Sequence, residues 1–501
     1  MKKNLILLIV IFLFSCGMDK KDDEVINGIM IDCSRLLEKQ DYYYKLIDFM
    51  ADWDMNTLLL HFSDDHGLSV AIPGFEKLAH PRAFTAENIS ELNTYAASKG
   101  IEIIPELEVF GHTRYITDNP DYQHLFLGDR SGNISFNALD PLNPESVSLM
   151  RSMIAGVAPM FSSEYLHLGC DEVNLSSLNL NNTTEEAQVW TDYVNKMIDI
   201  AHNQSKTPII WNDHLQKNGM IADLLRKDVI LMEWNYIPDY KPKNLRRFRE
   251  MGYPTLIMAP SISCYLLRVL PSRPGLMNTD AMASSVRNGT AEGLINTIWL
   301  PMRYIQDAMW YGIAYSAFLI NSCQEMDLHA FHRTFARKVF GRPMSKDLEY
   351  YLNRWPDLHL DYRFYINLAN GKTDFSGNPE DMEELQNIYA LSLQLIEQEP
   401  HFTPRKNGEI LQAMYLATDV MHVLSKGLLI LSGEDFSLQQ KHNWHEQLTT
   451  VIDAVDAEWD KGRYPNDPAK YVAKFPNQEH SHLLILLKKL AQYGEDYLLK
   501  E

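Results

Sequence analysis

The chain is short of cysteine, short of basic charge and free of low-complexity sequence. Five cysteines in 501 residues are too few for a disulfide scaffold, and their wide spacing excludes a compact thiolate metal knuckle. Cys33, Cys170, Cys264 and Cys323 are read as buried free thiols, because cysteine packs well as a small hydrophobe. The 46 Lys and Arg are outnumbered by 66 Asp and Glu, for a formal charge of −20. Nucleic-acid binding rests on neutralising phosphates, so that charge, with no basic stripe, excludes nucleic acid as a partner. The chain also lacks a glycine-rich phosphate loop and a His-Glu-x-x-His pair, and no His-x-His closes the first strand. Neither metal nor organic cofactor is therefore expected. What remains is a globular composition, 46% hydrophobic and 11% aromatic, suited to a neutral small molecule or sugar.

The N-terminus reads as an address. Lys2 and Lys3 precede an apolar run from Leu5 to Phe14 that is too short for a stable membrane span. Leu13-Phe14-Ser15-Cys16 resembles a bacterial lipobox, which would make Cys16 the lipidated first residue of the mature protein. Residues 1–16 are thus assigned to a lipoprotein signal peptide and 17–24 to a polar tether. Lys21-Asp22-Asp23-Glu24 resembles an acidic surface-export signal. The expected location is the bacterial cell envelope, anchored by lipid to the outer membrane, on either its periplasmic or its surface face.

From residue 25 to about 340, short apolar runs alternate with longer amphipathic ones. They predict strands over 27–33, 57–62, 101–109, 165–169, 208–211, 229–234, 254–259 and 293–299. Between them lie helix patterns such as Ile89, Leu92 and Ala96, ended by Lys99-Gly100. Eight strand–helix units without a long interruption predict an α/β chain folded as a closed (β/α)8 TIM barrel over 25–340. Beyond that the strand pattern stops. Asn378-Pro379 reads as a helix start, and Ile410, Met414, Ala417, Met421 and Leu424 form an apolar stripe. Residues 341–501 are predicted to form an all-helical C-terminal domain whose stripes are packing surfaces.

A barrel gathers its functional groups at the C-terminal ends of the strands. Those ends carry Asp32-Cys33-Ser34-Arg35, then His61-Phe62-Ser63-Asp64-Asp65-His66, then Glu106-Leu107-Glu108-Val109-Phe110-Gly111-His112. Next come Asp171-Glu172, Trp211-Asn212-Asp213-His214, Glu233-Trp234-Asn235-Tyr236, Tyr265 and Trp299. Adjacent buried carboxylates repel each other, and a site that needs one anionic and one protonated carboxyl would justify them. Successive strand side chains point to opposite faces, so both can serve one pocket only if the chain bends after Gly169. Three tryptophans at one rim suit the apolar face of a pyranose.

His167-Leu168-Gly169-Cys170-Asp171-Glu172 resembles the His-x-Gly-x-Asp-Glu signature of family 20 glycoside hydrolases, the β-N-acetylhexosaminidases. Gly28 through Arg35, Asn56 through His61 to Gly67, and Ile104-Pro105-Glu106 through Gly111-His112-Thr113 are similar to the family's first three strand motifs, in order. The Gly-Cys-Asp-Glu and Trp-Asn-Asp segments look most like the hexosaminidase D branch. The resemblance implies an exo-β-N-acetylhexosaminidase acting on terminal GlcNAc or GalNAc of a glycan, with retention and without an enzyme nucleophile. It implies that Asp171 stays ionised to orient the acetamido group, and that Glu172, its pKa raised, is the general acid and base. Arg35, Trp211, Trp234, Tyr265 and Trp299 would hold the sugar, with Asp64, His112 and His167 behind them orienting the acid and the arginine. Two departures bear on hydroxyl specificity: Tyr265 is followed by Leu266-Leu267-Arg268, and Trp299 by Leu300-Pro301. The alternatives are a non-catalytic glycan-binding lipoprotein, or a retaining glycosidase that pairs Glu172 with Glu233 as nucleophile.

Overall fold

A computed structural model describes residues 25–127, 138–263, 269–322, 324–464 and 479–499. Cys16 and the rest of the N-terminal address lie outside these residues, as do Cys264, Tyr265 and Cys323. Eight parallel strands close into a barrel: β1 (Ile26–Asp32), β2 (Thr57–His61), β3 (Glu102–Glu106), β4 (Tyr165–His167), β5 (Thr207–Trp211), β6 (Ile230–Trp234), β7 (Leu256–Ala259) and β8 (Gly293–Ile298). Each lies within the run that the sequence predicts or extends it by one residue, because strands covered on both faces read as nearly continuous apolar stretches. The main difference is at β3 and β4, which stop at Glu106 and His167, short of the predicted ends at 109 and 169. There the backbone leaves the ladder to present side chains at the rim.

Met30, Leu59, Ile104, Ile209, Met232, Ile257 and Ile295 point inward and fill the barrel, with Trp211 above them. The opposite faces of the same strands join a larger core with the surrounding helices. One such helix, Ala86–Ser98, buries the anticipated Ile89, Leu92 and Ala96, and Gly100 follows at φ +74°. A short hairpin not anticipated from the sequence, Ser63–Asp64 with Gly67–Leu68, follows β2 and fixes the position of Asp64. Cys33 and Cys170 are buried free thiols, as expected.

All described elements after β8 are helical. Asn378 caps the helix Pro379–Glu397 by accepting from the Glu380 N–H. The helix Gly408–Leu431 is long and apolar enough to cross a membrane, but 78% of its most apolar window is buried inside the molecule, which marks it as a core helix. This helical region reaches the end of the barrel at which the strands terminate. Trp459 packs with Leu300 and Met302 just beyond β8, and Arg463 meets Glu38 beyond β1 through two 3.1 Å contacts, both side chains 2% exposed. Burial lifts the Glu38 pKa to about 7 although Arg463 opposes the rise. Arg463→Met would strand that carboxyl, and breaking a buried pair costs roughly 3–5 kcal/mol. Because Glu38 can take up a proton near neutrality, the expected loss lies at the lower end of that range. Chemical denaturation should show it, with a smaller loss when Glu38→Gln is combined with Arg463→Met.

Candidate active site

The strand register sets a row of polar groups along the rim. Asp32 pairs with His61, His61 with Glu106 and Glu106 with His167 across β1 to β4. Glu106 ties this floor together: it faces His61 Nδ1 at 2.8 Å and accepts from Trp211 Nε1 at 2.8 Å. Burial would raise the Glu106 carboxyl, but His61, helped by the Trp211 hydrogen bond, outweighs it and holds it below the ordinary range. Arg35 reaches across from the β1 loop, donating to Asp32 Oδ2 at 2.9 Å and Asp64 Oδ2 at 2.7 Å, with its guanidinium 5.3 Å from the Trp299 ring centre. Burial penalises the Asp64 charge, yet Arg35 and His112 overcome it and keep that carboxyl well below its usual range. The guanidinium is therefore held from two sides.

The anticipated bend follows β4. Gly169 (φ +65°), Cys170 (φ +76°) and Glu172 (φ +50°) all adopt left-handed backbone. For non-glycine residues that conformation persists only when the surroundings enforce it. They do so here. Neutral His167, pushed down to about 4 by burial, accepts the Gly169 N–H at its Nδ1 at 3.0 Å. Glu108 Oε2 accepts the Cys170 N–H at 3.3 Å. A Cβ at Gly169 would lie 1.9 Å from that same oxygen, so only glycine fits.

The bend brings both carboxylates to one imidazole. His112 Nε2 lies 3.7 Å from Asp171 Oδ2 and 3.5 Å from Glu172 Oε2, while its Nδ1 lies 3.4 Å from Asp64 and 3.5 Å from Asp65. Burial opposes a positive charge on His112, but Asp171 and Asp64 prevail and raise it well above the ordinary histidine range. The deeper acid of the pair is Asp171, 13% exposed against 33% for Glu172. Burial lifts Asp171 to about 7, with His112 opposing and Asp213 and Glu172 adding to the rise. Beneath them, burial and the Asp171 charge raise Glu108 well above the carboxylate range, which makes it a neutral acid. The clusters His61–Glu106–Glu108, Asp64–Asp65–His112 and His112–Asp171–Glu172 each bring potential metal-ligand atoms within 4.8 Å of one another.

Aromatic groups stand along the same rim. Trp299 donates from Nε1 to the Tyr236 hydroxyl at 2.7 Å, and Trp234 lies against Tyr236 at 5.4 Å between ring centres. Trp211 is 1% exposed and lies 6.2 Å from Trp299, so it is more floor than wall. Tyr236, Glu108, Asp213 and His214 stand in the strand-end segments read from the sequence but carry no assigned role there. Nothing in the order of residues said which way they face. Glu233 has both oxygens engaged, by Tyr240 at 2.7 Å and Asn212 at 3.2 Å, as a structural brace would. A cleft of about 600 Å³ opens beside Glu172, walled by Glu186, Trp190, His214, Lys217 and Asn218.

Residues 27–288 match the sequence profile of glycosyl hydrolase family 20, catalytic domain. Human beta-hexosaminidase subunit beta is 25% identical over 256 residues, which cover 47% of this chain and 44% of that protein. Beta-hexosaminidase subunit A2 of Dictyostelium discoideum is 28% identical over 263 residues, 49% of this chain and 46% of that one. The matched segment thus spans about half the length of these relatives. Among solved structures, a chitobiase of Flavobacterium johnsoniae aligns over 86% of this chain and 75% of its own, with 17% identity and a TM-score of 0.49.

Proposed function

Because the chain belongs to glycosyl hydrolase family 20, we propose that it is an exo-β-N-acetylhexosaminidase that releases terminal β-linked GlcNAc or GalNAc with retention of configuration. The observation that carries this reading is the paired placement of Asp171 and Glu172 on His112, with Asp171 Oδ1 buried and without a hydrogen-bond partner among the described residues. A buried acceptor beside a sugar pocket suits an amide N–H. In the proposed reaction the 2-acetamido oxygen attacks the anomeric carbon as the glycosidic C–O bond breaks. The leaving oxygen takes its proton from Glu172, and Asp171, as the anion, holds the amide N–H and offsets the oxazolinium charge. Water, deprotonated by Glu172, then opens the oxazolinium ring and restores the acid. Arg35 would bind sugar hydroxyls, Trp234 and Trp299 would cover the ring above the Trp211 floor, and Tyr265 would reach the acetamido oxygen.

The test compares nitrophenyl β-GlcNAc and β-GalNAc with nitrophenyl β-glucoside, in the presence and absence of a thiazoline analogue of the oxazolinium. Turnover confined to the acetamido sugars and blocked by the thiazoline is the expected result. Thiazoline-insensitive hydrolysis of the glucoside would favour a carboxylate nucleophile instead, and turnover of neither would leave a glycan-binding protein. The pH profile carries a second expectation. Catalysis needs anionic Asp171, and the protonated fraction grows as pH falls through about 7. So kcat/KM is expected to fall below that pH, approaching about tenfold per unit. The corresponding limb in kcat should lie lower, because the bound amide N–H favours the anion.

The proposal also places the barrel over 25–340, the helical domain over 341–501, and a lipid on Cys16 that holds the enzyme in the outer membrane. Incorporation of a labelled fatty acid that disappears in Cys16→Ala would support that anchor, and its absence from the unaltered protein would refute it.

A further inference from the structure

The acid loop after β4 is gripped by the next strand end. Asp213 and His214 open the short helix Asp213–Lys217 just beyond β5. Asp213 Oδ2 accepts the Glu172 N–H at 3.4 Å, and His214 Nε2 accepts the Val173 N–H at 3.0 Å. Lys217, one turn on, donates to the same Asp213 oxygen at 2.7 Å. Two consecutive side chains therefore hold two consecutive peptide groups, one belonging to a residue at φ +50° that needs holding. The imidazole also lies 5.2 Å from the Trp190 ring centre, and both rings line the cleft beside Glu172. Accepting at Nε2 requires a neutral ring with its proton on Nδ1. Burial, helped by Lys217, keeps His214 below the ordinary histidine range against the pull of Asp213, Glu186 and Glu172.

We propose that Asp213 and His214 are positioning residues that clamp the main chain of Glu172 and so aim its carboxyl at the leaving oxygen. This rests on Glu172 being the general acid. The clamp acts on the main chain of Glu172, so its loss should misdirect proton donation more than it weakens binding. A misaimed acid matters only where the leaving group needs a proton. A dinitrophenolate departs unaided, whereas a sugar alkoxide does not.

Two variants separate aim from packing. His214→Phe keeps a ring against Trp190 but offers no acceptor, while His214→Gln keeps an acceptor at nearly the same reach. Each is assayed for kcat and KM on dinitrophenyl β-GlcNAc and on a GlcNAc-β-linked disaccharide, with a thermal melt beside each. His214→Phe is expected to lose roughly 10–100-fold in kcat on the disaccharide, the scale of an ångström of misplacement. On the dinitrophenyl glycoside it should lose less than about threefold, with KM on both substrates near that of the unaltered enzyme. His214→Gln should recover most of the disaccharide rate. Equal losses on both substrates, no loss on either, or a Gln variant as impaired as Phe would overturn the clamp while the unaltered enzyme still turns over. An unaltered enzyme inactive on both substrates would instead overturn the assignment of Glu172, and the clamp with it.

Discussion

Asp171→Asn is expected to lower kcat on nitrophenyl β-GlcNAc by about 10³-fold, the scale of removing one preorganised charge or donor from a water-poor site. The substitution keeps the shape but removes the anion that faces the developing oxazolinium, and an amide cannot replace it. Affinity for a thiazoline should fall as well, since its ring nitrogen would lose the carboxylate that stabilises its protonated form. Folding should not suffer. A carboxyl whose pKa is raised to about 7 in the folded state opposes folding wherever it is ionised, and this penalty grows as pH rises through that value. At pH 8 the Asn variant should therefore melt at or above the temperature of the unaltered protein. Glu172→Gln should behave differently, with a loss that grows as the leaving group becomes more basic. A kcat for Asp171→Asn within tenfold of the unaltered enzyme would remove Asp171 from the mechanism.

Gly111→Ala is the second large effect expected, and it acts through the backbone. A Cβ there would lie 2.4 Å from the carbonyl oxygen of Asp171 and 3.3 Å from the Val173 side chain. Ordinary contact begins near 3.4 Å, so one of the two chains must move by about 1 Å, a displacement that costs roughly 10²-fold in rate when it falls on reacting groups. The carbonyl belongs to the proposed catalytic pair, and the bend around it is already held in left-handed conformations. We expect kcat to fall about 100-fold, with a loss of stability of roughly 1–3 kcal/mol from overpacking. Crystallography or the kcat of the purified variant would check it. Activity near that of the unaltered enzyme would mean that the β3 and β4 loops give way without disturbing Asp171.

Much of this site was legible because barrel chemistry sits at strand ends and buried strands announce themselves. The run Leu166-His167-Leu168 marks β4, and Leu166 and Leu168 do face the helical layer while His167 turns inward. Strand periodicity alone required a bend before Asp171-Glu172, and Gly169 supplies its first left-handed residue. Other features were out of reach. The depth of each carboxyl follows from Glu108, Gly111 and His112 converging on it, and none of these is a sequence neighbour of the pair. That convergence buries Asp171 and lifts its carboxyl to about 7. The C-terminal helices carried only a packing pattern, yet Arg463 and Trp459 brace the loops that hold Arg35 and Trp299.

By itself the sequence determined the eight strands, their order, the family resemblance and which two acids stand together, because apolar periodicity and short motifs are local properties. The tertiary structure alone decided how those acids are used. Burial, field and aim are sums over groups brought together from β1, β2, β3 and β5, and their sum exists only once the barrel has closed.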